Sequence, residues 1–272
     1  MISRTSWIGV VIAILLSSFY LLPVWSAFTA SLKSLDALYT TSPLILPSAL
    51  SFENYVIAFN TLKNGFLVTI IISVSTVIIS LFIGSISAFK LSKFKLKGAT
   101  VLIALISLGV LMPFNAYLIP TILSVSFLGI YDTILALILV HVVYGLPTTL
   151  LLFTGYYVNI PDSLIEAARL DGAGDWMIYR RIVLSLSGPI FVVVSVLRFT
   201  FSWNDLFYGL ILTKQANRPI MTLVAGLKGG EYAMAWHILM AGTILSILPT
   251  LVVYIFLGRF LIRGYLSEIT KA

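Results

Sequence analysis

The sequence predicts an all-α membrane protein with six transmembrane helices and both termini in the cytoplasm. Three observations carry that fold class. Of 272 residues, 60% are hydrophobic and only 10% are charged, whereas a soluble domain carries about 25% charged residues. Charges this sparse cannot assemble a water-facing surface, and the mean hydropathy of +1.07 agrees. The few charges bracket apolar runs, each close to the roughly 20 residues that a helix needs to cross the hydrocarbon core. Finally, Lys and Arg are distributed unevenly between the links that join those runs.

Taken in order, the spans are expected at about 7–29, 65–89, 99–122, 133–157, 189–212 and 234–258, all within one transmembrane domain of 1–272. The first lies between Arg4 and Lys33; it is too long for the apolar part of a signal peptide and is expected to be retained. Lys63 and Lys90 bracket the second. Lys97 and Asp132 bracket the third, with Pro113 and Pro120 as expected kinks. The fourth runs from Asp132 toward Asp162 and carries Gly145 and Pro147. The fifth starts near Pro189 and is interrupted by Arg198 and Asp205. Glu231 and Arg259 bracket the sixth. Pro and Gly inside these runs are compatible with membrane helices whose neighbours satisfy the freed backbone groups. The outer segment from Lys33 to Lys63 reads as a short cap or amphipathic piece.

Counting the links gives the orientation. Lys90, Lys93, Lys95, Lys97, Arg169, Arg180, Arg181 and four basic residues near the ends make eleven on one side, against five on the other. The basic-rich side is cytoplasmic. The net charge of +7 is therefore a matter of topology; the basic residues form no stripe and no nucleic-acid motif accompanies them. With no cysteine, disulfides and thiolate metal sites are excluded. No Walker-type Gly-rich motif is present, so ATP hydrolysis is not expected here. No catalytic constellation is present either. His141 and His237 each stand alone in an apolar run, which suits packing better than a metal site.

The link at 159–188 is the most informative. Pro161 favours a helix start, and Ser163 with Glu166 has capping-box spacing. Ala167 and Ala168 form helix without bulk, and Gly172 can end it in a left-handed turn. The expected product is a short, rigid, capped helix with a small-residue face, able to dock on another surface. The alternative is an ordinary capped loop helix in which Glu166 only caps.

Glu166-Ala167-Ala168, three further residues and Gly172, then Ile182 and Leu184, resemble the EAA motif of ABC importer permeases. Ser185 stands where that motif usually has Pro. Phe52-Glu53-Asn54-Tyr55, Ser87-Ala88-Phe89, Met112-Pro113 and Phe201-Ser202-Trp203-Asn204-Asp205 extend the similarity to the carbohydrate-uptake permeases of the maltose-transporter type, over essentially the whole chain. That resemblance implies that Glu166, Ala167, Ala168, Arg169, Leu170, Asp171 and Gly172 make a coupling helix. It implies a second permease subunit, two ATP-binding subunits and an extracellular solute-binding protein. ATP and Mg would be held by the partner ATPase, and no cofactor by this chain. The C-terminal run after Gly264 departs from the family pattern, so a tail contact with the ATPase is not implied.

Within the fifth span, Arg198 sits near mid-depth, where Arg costs about 2.5–3.5 kcal/mol on insertion scales. Asp205 lies about 10.5 Å further along the axis, too far for direct pairing, so each needs its own partner or a wet cavity. For Arg198 the expectation is a bond to the second permease. Trp203, Asn204 and Asp205 combine an aromatic plate with hydroxyl-binding groups, a candidate sugar pathway; the alternative places them at the outer interface. An ABC permease for another small solute, a secondary transporter and a membrane-embedded enzyme are the rival classes. The last two lack, respectively, the internal repeats and the clustered catalytic groups that they need.

Overall fold

The computed structural model describes residues 4–94, 96–228 and 235–269, and contains helices but no strand among them. Lys95, Glu231 and Lys271, which bracket or orient the expected spans, lie outside the described residues. Helix α1 (Arg4–Ser31) is followed by the short α2 (Leu35–Thr40), whose N-terminus is capped by the Ser34 hydroxyl accepting from the Ala37 amide. Helix α3 (Glu53–Lys93) is a single element of 41 residues. It begins about three turns before the expected second span. Lys63 is exposed on its flank: a lone charge marks a change of surroundings without ending a helix, and Glu53 suits the positive end of the longer one.

The expected third span is broken. Helix α4 (Ala99–Leu111) stops at Met112, which is extended (φ −71°, ψ 125°) because the Cδ of Pro113 excludes the helical conformation there. A 3₁₀ turn, Phe114–Tyr117, leads into α5 (Leu118–Phe127). Pro120 produces no kink, because it occupies the first turn of α5, where no intrahelical N–H bond is lost. Helix α6 (Ile134–Val158) is capped by Thr133 and contains Pro147. Helix α7 (Asp162–Leu170) follows, then α8 (Asp175–Ile178), which passes through a π turn (Tyr179–Val183) into α9 (Leu184–Leu186). At Ser187 the chain bends by 78° into α10 (Gly188–Trp203). Helices α11 (Phe207–Leu212), α12 (Ile220–Gly226) and α13 (Trp236–Ile269) complete the order.

Four helical stretches among the described residues are long and apolar enough to cross a membrane: Trp7–Ser31, Glu53–Lys93, Ile134–Val158 and Trp236–Gly258. The bent pair Asp175–Leu186 and Gly188–Trp203 makes a fifth if taken as one span. The apolar window of Trp7–Ser31 is entirely exposed, a surface that suits lipid or another apolar chain and not water.

The chain divides into two compact units, Met1–Phe66 with Ile220–Leu248, and Leu67–Pro219 with Pro249–Ala272. In the first, the outer segment is tied down by polar bonds. Lys33 is fully buried and donates to Thr41 Oγ1 (2.8 Å) and Ser42 O (2.6 Å). The Asn54 amide donates to the carbonyls of Ser31 (2.9 Å) and Lys33 (2.8 Å). Gly65 permits close approach: a Cβ there would lie 3.2 Å from Ile220 Cα on α12. In the second unit one core gathers α3, α6, α7 and α10 around Phe89, Phe153, Tyr157, Ile165 and Val183. Another gathers α3, α5, α6 and α11 around Ile72, Val125, Leu137 and Leu212. Thr69, Ser73, Thr76 and Ser80 recur at helical spacing on the buried face of α3, the small polar residues through which membrane helices pack closely.

Candidate functional site: a loop helix and a tyrosine-lined cavity

Two places in the second unit concentrate chemistry. The first is α7. Its end follows from Gly172, whose φ of +79° is the left-handed conformation a glycine adopts without strain. The Ala173 amide donates to Ala168 O and the Gly172 amide to Arg169 O, the paired bonds of a Schellman cap. At the other end the expected capping box does not form. Pro161 is the N-cap and no side-chain cap bond is made there; Ser163 already lies within the helix, two residues past the capping position. Asp162 opens the first turn and pairs with Lys93 Nζ at 2.7 Å.

Lys93 is the hub of this end. Its side chain is 2% exposed, and Nζ also donates to Ile160 O at 2.5 Å and reaches Val158 O at 3.4 Å. One ammonium thus ties the last carbonyls of α6, the link and the start of α7 to the end of α3. The Lys93 hydrogen bond and charge hold the Asp162 carboxyl below its ordinary pKa. Lys90 forms a second tie, to Asp175 Oδ2 at 2.6 Å, and Arg169 approaches Asp175 Oδ1 at 3.8 Å. The Phe94 ring receives both cations, Lys90 Nζ at 3.9 Å and the Arg169 guanidinium at 5.0 Å from its centroid. Beneath the helix, Ile165 is buried in the core. Ser85 Oγ joins the hydroxyls of Tyr157 (2.6 Å) and Tyr179 (2.8 Å).

The outward face carries what could meet another protein. Glu166, Ala167 and Asp171 are exposed, Ala168 is half-buried, and Leu170 is 89% exposed. The bare Leu170 adds an apolar side chain to that otherwise polar face.

The second place is a cavity of about 660 Å³ within the second unit. Asn204 and Asp205 line it, as the sequence reading expected of a pathway, but Trp203 does not. Trp203 is fully buried and stacks on Phe199 (5.4 Å, 16°), because the residue one step back along α10 points away from the break that exposes Asn204. The aromatic plates are tyrosines. Tyr117 stacks on Tyr144 (4.1 Å, 16°), and Tyr144 lies nearly parallel to Tyr208 (5.9 Å, 6°). The Tyr144 hydroxyl is fixed by Thr121.

Arg198 and Asp205 find their partners within this chain. Arg198 does not interrupt α10; it is buried and its Nη2 donates to His141 O at 2.9 Å. The chain itself thus supplies one partner, on α6, for the guanidinium that was expected to bond a second permease. Gly145 makes room for it: a Cβ at 145 would lie 2.0 Å from the guanidinium carbon. The true interruption is at Asn204–Leu206. There Asp205 accepts from the amides of Phe207 (3.1 Å), Tyr208 (3.1 Å) and Gly209 (3.2 Å), capping α11. Its Oδ2 also stands 3.4 Å from His141 Nε2. His141 thereby connects the two charges that the sequence reading held apart. Among the described residues no group of His, Cys, Asp and Glu could hold a metal ion.

Sequence reasoning missed Tyr117, Tyr144, Tyr208, His141 and Gly145 as one site. His141, Tyr144 and Gly145 share α6, but Tyr117 comes from the 3₁₀ turn and Tyr208 from α11, and only Gly145 beside Pro147 hinted at a gap. Lys93 was counted as a topological charge.

The chain matches the family model of the binding-protein-dependent transport system inner membrane component over residues 80–265. It is 42% identical to a probable ABC transporter permease protein of Pyrococcus horikoshii, across 99% of this chain and 98% of that one. It is 30% identical to the glucose import system permease protein GlcU of Saccharolobus solfataricus, across 93% and 91% respectively. Its structure resembles a chain in the crystal structure of a bacterial ABC transporter that imports the acidic polysaccharide alginate, with a TM-score of 0.79 and 26% identity over 94% of this chain and 98% of that one. The chain therefore belongs to the inner membrane components of binding-protein-dependent transport systems, and is a multi-pass permease of the plasma membrane.

Proposed function

We propose that this permease forms half of the translocation pathway of an ATP-driven carbohydrate importer, and that α7 is its coupling helix. The carrying observation is the mounting of α7: a Schellman cap at one end, Lys93 at the other, Ile165 beneath and a bare Leu170 on top. A part that transmits force between subunits must be stiff in itself and open on one face. Glu166 to Gly172 meet both requirements. ATP and Mg belong to a separate ATPase subunit, present twice; a second permease completes the pathway, and an extracellular binding protein delivers the solute.

The carbohydrate assignment is supported by relatives named for glucose, xylose/arabinose, diacetylchitobiose and arabino-oligosaccharide uptake. On this reading the chain crosses the membrane six times, with both termini cytoplasmic. Helices α4 and α5, about 20 Å and 15 Å long, together make the third crossing of a hydrocarbon core about 30 Å thick. The bent pair makes the fifth.

The test is a detergent pull-down of the tagged chain from native membranes, followed by reconstitution. An ATPase, a second permease and a binding protein should co-purify. Glu166→Lys and Gly172→Pro should leave the chain inserted but separate ATP hydrolysis from uptake; proline cannot adopt a φ of +79°. Recovery of the chain alone, transporting without ATP, would replace this reading with a secondary transporter, and normal uptake by both variants would remove the coupling role from α7.

A further inference from the structure

We infer that the tyrosine-lined cavity is a binding subsite for one uncharged sugar unit, supplied by this chain itself. The inference rests on the carbohydrate reading above and narrows it to a place and a charge class.

Three features of the cavity point the same way. The first is aromatic surface. Tyr144 is held between Tyr117 and Tyr208, and Thr121 fixes its hydroxyl, so the rings form a rigid edge that needs no ordering on binding. Rigid, amphipathic rings offer the apolar C–H face of a pyranose or furanose a surface, and its hydroxyls a neighbour, at little entropic loss. Phe201, 64% exposed, adds a further ring at the mouth.

The second is unmet hydrogen bonding. Among the cavity's residues, Arg198 Nε, Thr200 Oγ1 and the Tyr208 hydroxyl are buried and have no hydrogen-bond partner in the protein. Arg198 and Tyr208 are only 7% and 9% exposed. Unpaired polar groups at one apolar depth are expensive unless a polar ligand or solvent meets them. A polyol, with a hydroxyl on nearly every carbon, is suited to scattered donors and acceptors of this kind.

The third is charge. The lining holds one cation, Arg198, and one acid, Asp205, so its formal charges cancel. Arg198 donates to His141 O, while three amides and His141 Nε2 surround the Asp205 carboxylate. A uronate would be drawn to Arg198 but repelled by the Asp205 carboxylate, and an amino sugar the reverse, so neither gains a net attraction that offsets the desolvation of its own charge. The site therefore favours a neutral ring and discriminates against an acidic one, whereas the structurally similar importer carries an acidic polysaccharide.

The experiment uses the complete transporter, co-purified with its partners and reconstituted in vesicles with its binding protein. It measures ATP-dependent uptake of radiolabelled glucose, xylose, arabinose and N,N′-diacetylchitobiose against glucuronate. At least one neutral sugar should be imported and glucuronate should not. Tyr144→Ala removes the ring that holds Tyr117 and Tyr208 in place and should lower that uptake about tenfold, which corresponds to a loss of about 1.4 kcal/mol. The variant should still co-purify with its partner subunits, and Tyr144→Phe should retain most of the uptake. If Tyr144→Ala fails to assemble, Phe201→Ala replaces it, because its exposed ring can be removed without touching the core. Unchanged uptake in Tyr144→Ala, or in Phe201→Ala where it stands in, overturns the subsite but leaves the importer reading intact. Preferred import of glucuronate overturns the charge class alone. No ATP-dependent import of any of the five overturns the importer reading, and the subsite with it.

Discussion

The loop around α7 and the mid-helix cavity solve opposite problems with similar residues. In the loop, cations are spent on holding: Lys93, Lys90 and Arg169 each grip an acid, a carbonyl or a ring, and α7 ends up fastened on every side but one. In the cavity the single Arg198 is itself held, slotted over Gly145 against His141 O, and several polar atoms around it are left unmatched. A saturated network is stiff, and an unsaturated one is ready to accept something. On the proposed function the difference is a division of labour: one region stays fixed so that another subunit can push on it, and the other stays incomplete so that cargo can complete it.

Three changes should break or sharpen that contrast, in descending order of effect. The largest is Ile165→Ala. It removes the one α7 side chain buried in the core, and a buried Ile→Ala change costs about 2–5 kcal/mol. The loop should lose protection in amide hydrogen exchange between Asp162 and Gly172, while α10 and α11 keep theirs. Equal loss in both regions would mean that they are not mechanically separate.

Gly145→Ala comes next. The added Cβ displaces the Arg198 guanidinium, an overpacking that typically costs about 1–3 kcal/mol. It should lower the thermal midpoint of the assembled transporter and its uptake without altering protease sensitivity of the loop. An unaffected midpoint and uptake would show that Arg198 repositions freely and that its slot is incidental.

The smallest effect concerns acid. The Asp162 pKa is depressed, so its contribution is fully present above the ordinary value of 3.8 and fades as pH falls through the lower folded value. Loop protection by Asp162 should be flat from neutral pH down to about that ordinary value and decline only below it, and Asp162→Asn should abolish the decline. A change near pH 6 would assign the loop's titration to another group.

The same contrast governs what could be read from sequence. Bracketing charges located α1, α6 and the start of α13 to within a few residues, because membrane insertion is decided by local apolar length. The loop helix was legible for a similar reason: Pro161, Ala167, Ala168 and Gly172 act on their immediate neighbours, so its ends could be foreseen even though the Ser163 capping box could not. The long α3 was underestimated because Lys63 looked like an end and is only a flank. The cavity was largely illegible. Tyr117, Tyr144 and Tyr208 are separated by dozens of residues and become one surface only when a 3₁₀ turn, α6 and α11 converge. Trp203 misled because its neighbours in sequence, Asn204 and Asp205, do line the cavity, while helical rotation turns the indole inward.

The 78° bend at Ser187 has a mechanical reading. The arm from Asp175 to Leu186 is 12 residues, or about 18 Å, and is seated on the core by Ile178, Tyr179 and Val183. A rotation of about 10° at the bend would sweep the far tip through about 3 Å while the near end barely moved. Asp175 sits at that far tip, where leverage is greatest, and its bond to Lys90 at 2.6 Å would be the first contact to part. The ion pair thus stands where a latch has most advantage over the lever it restrains.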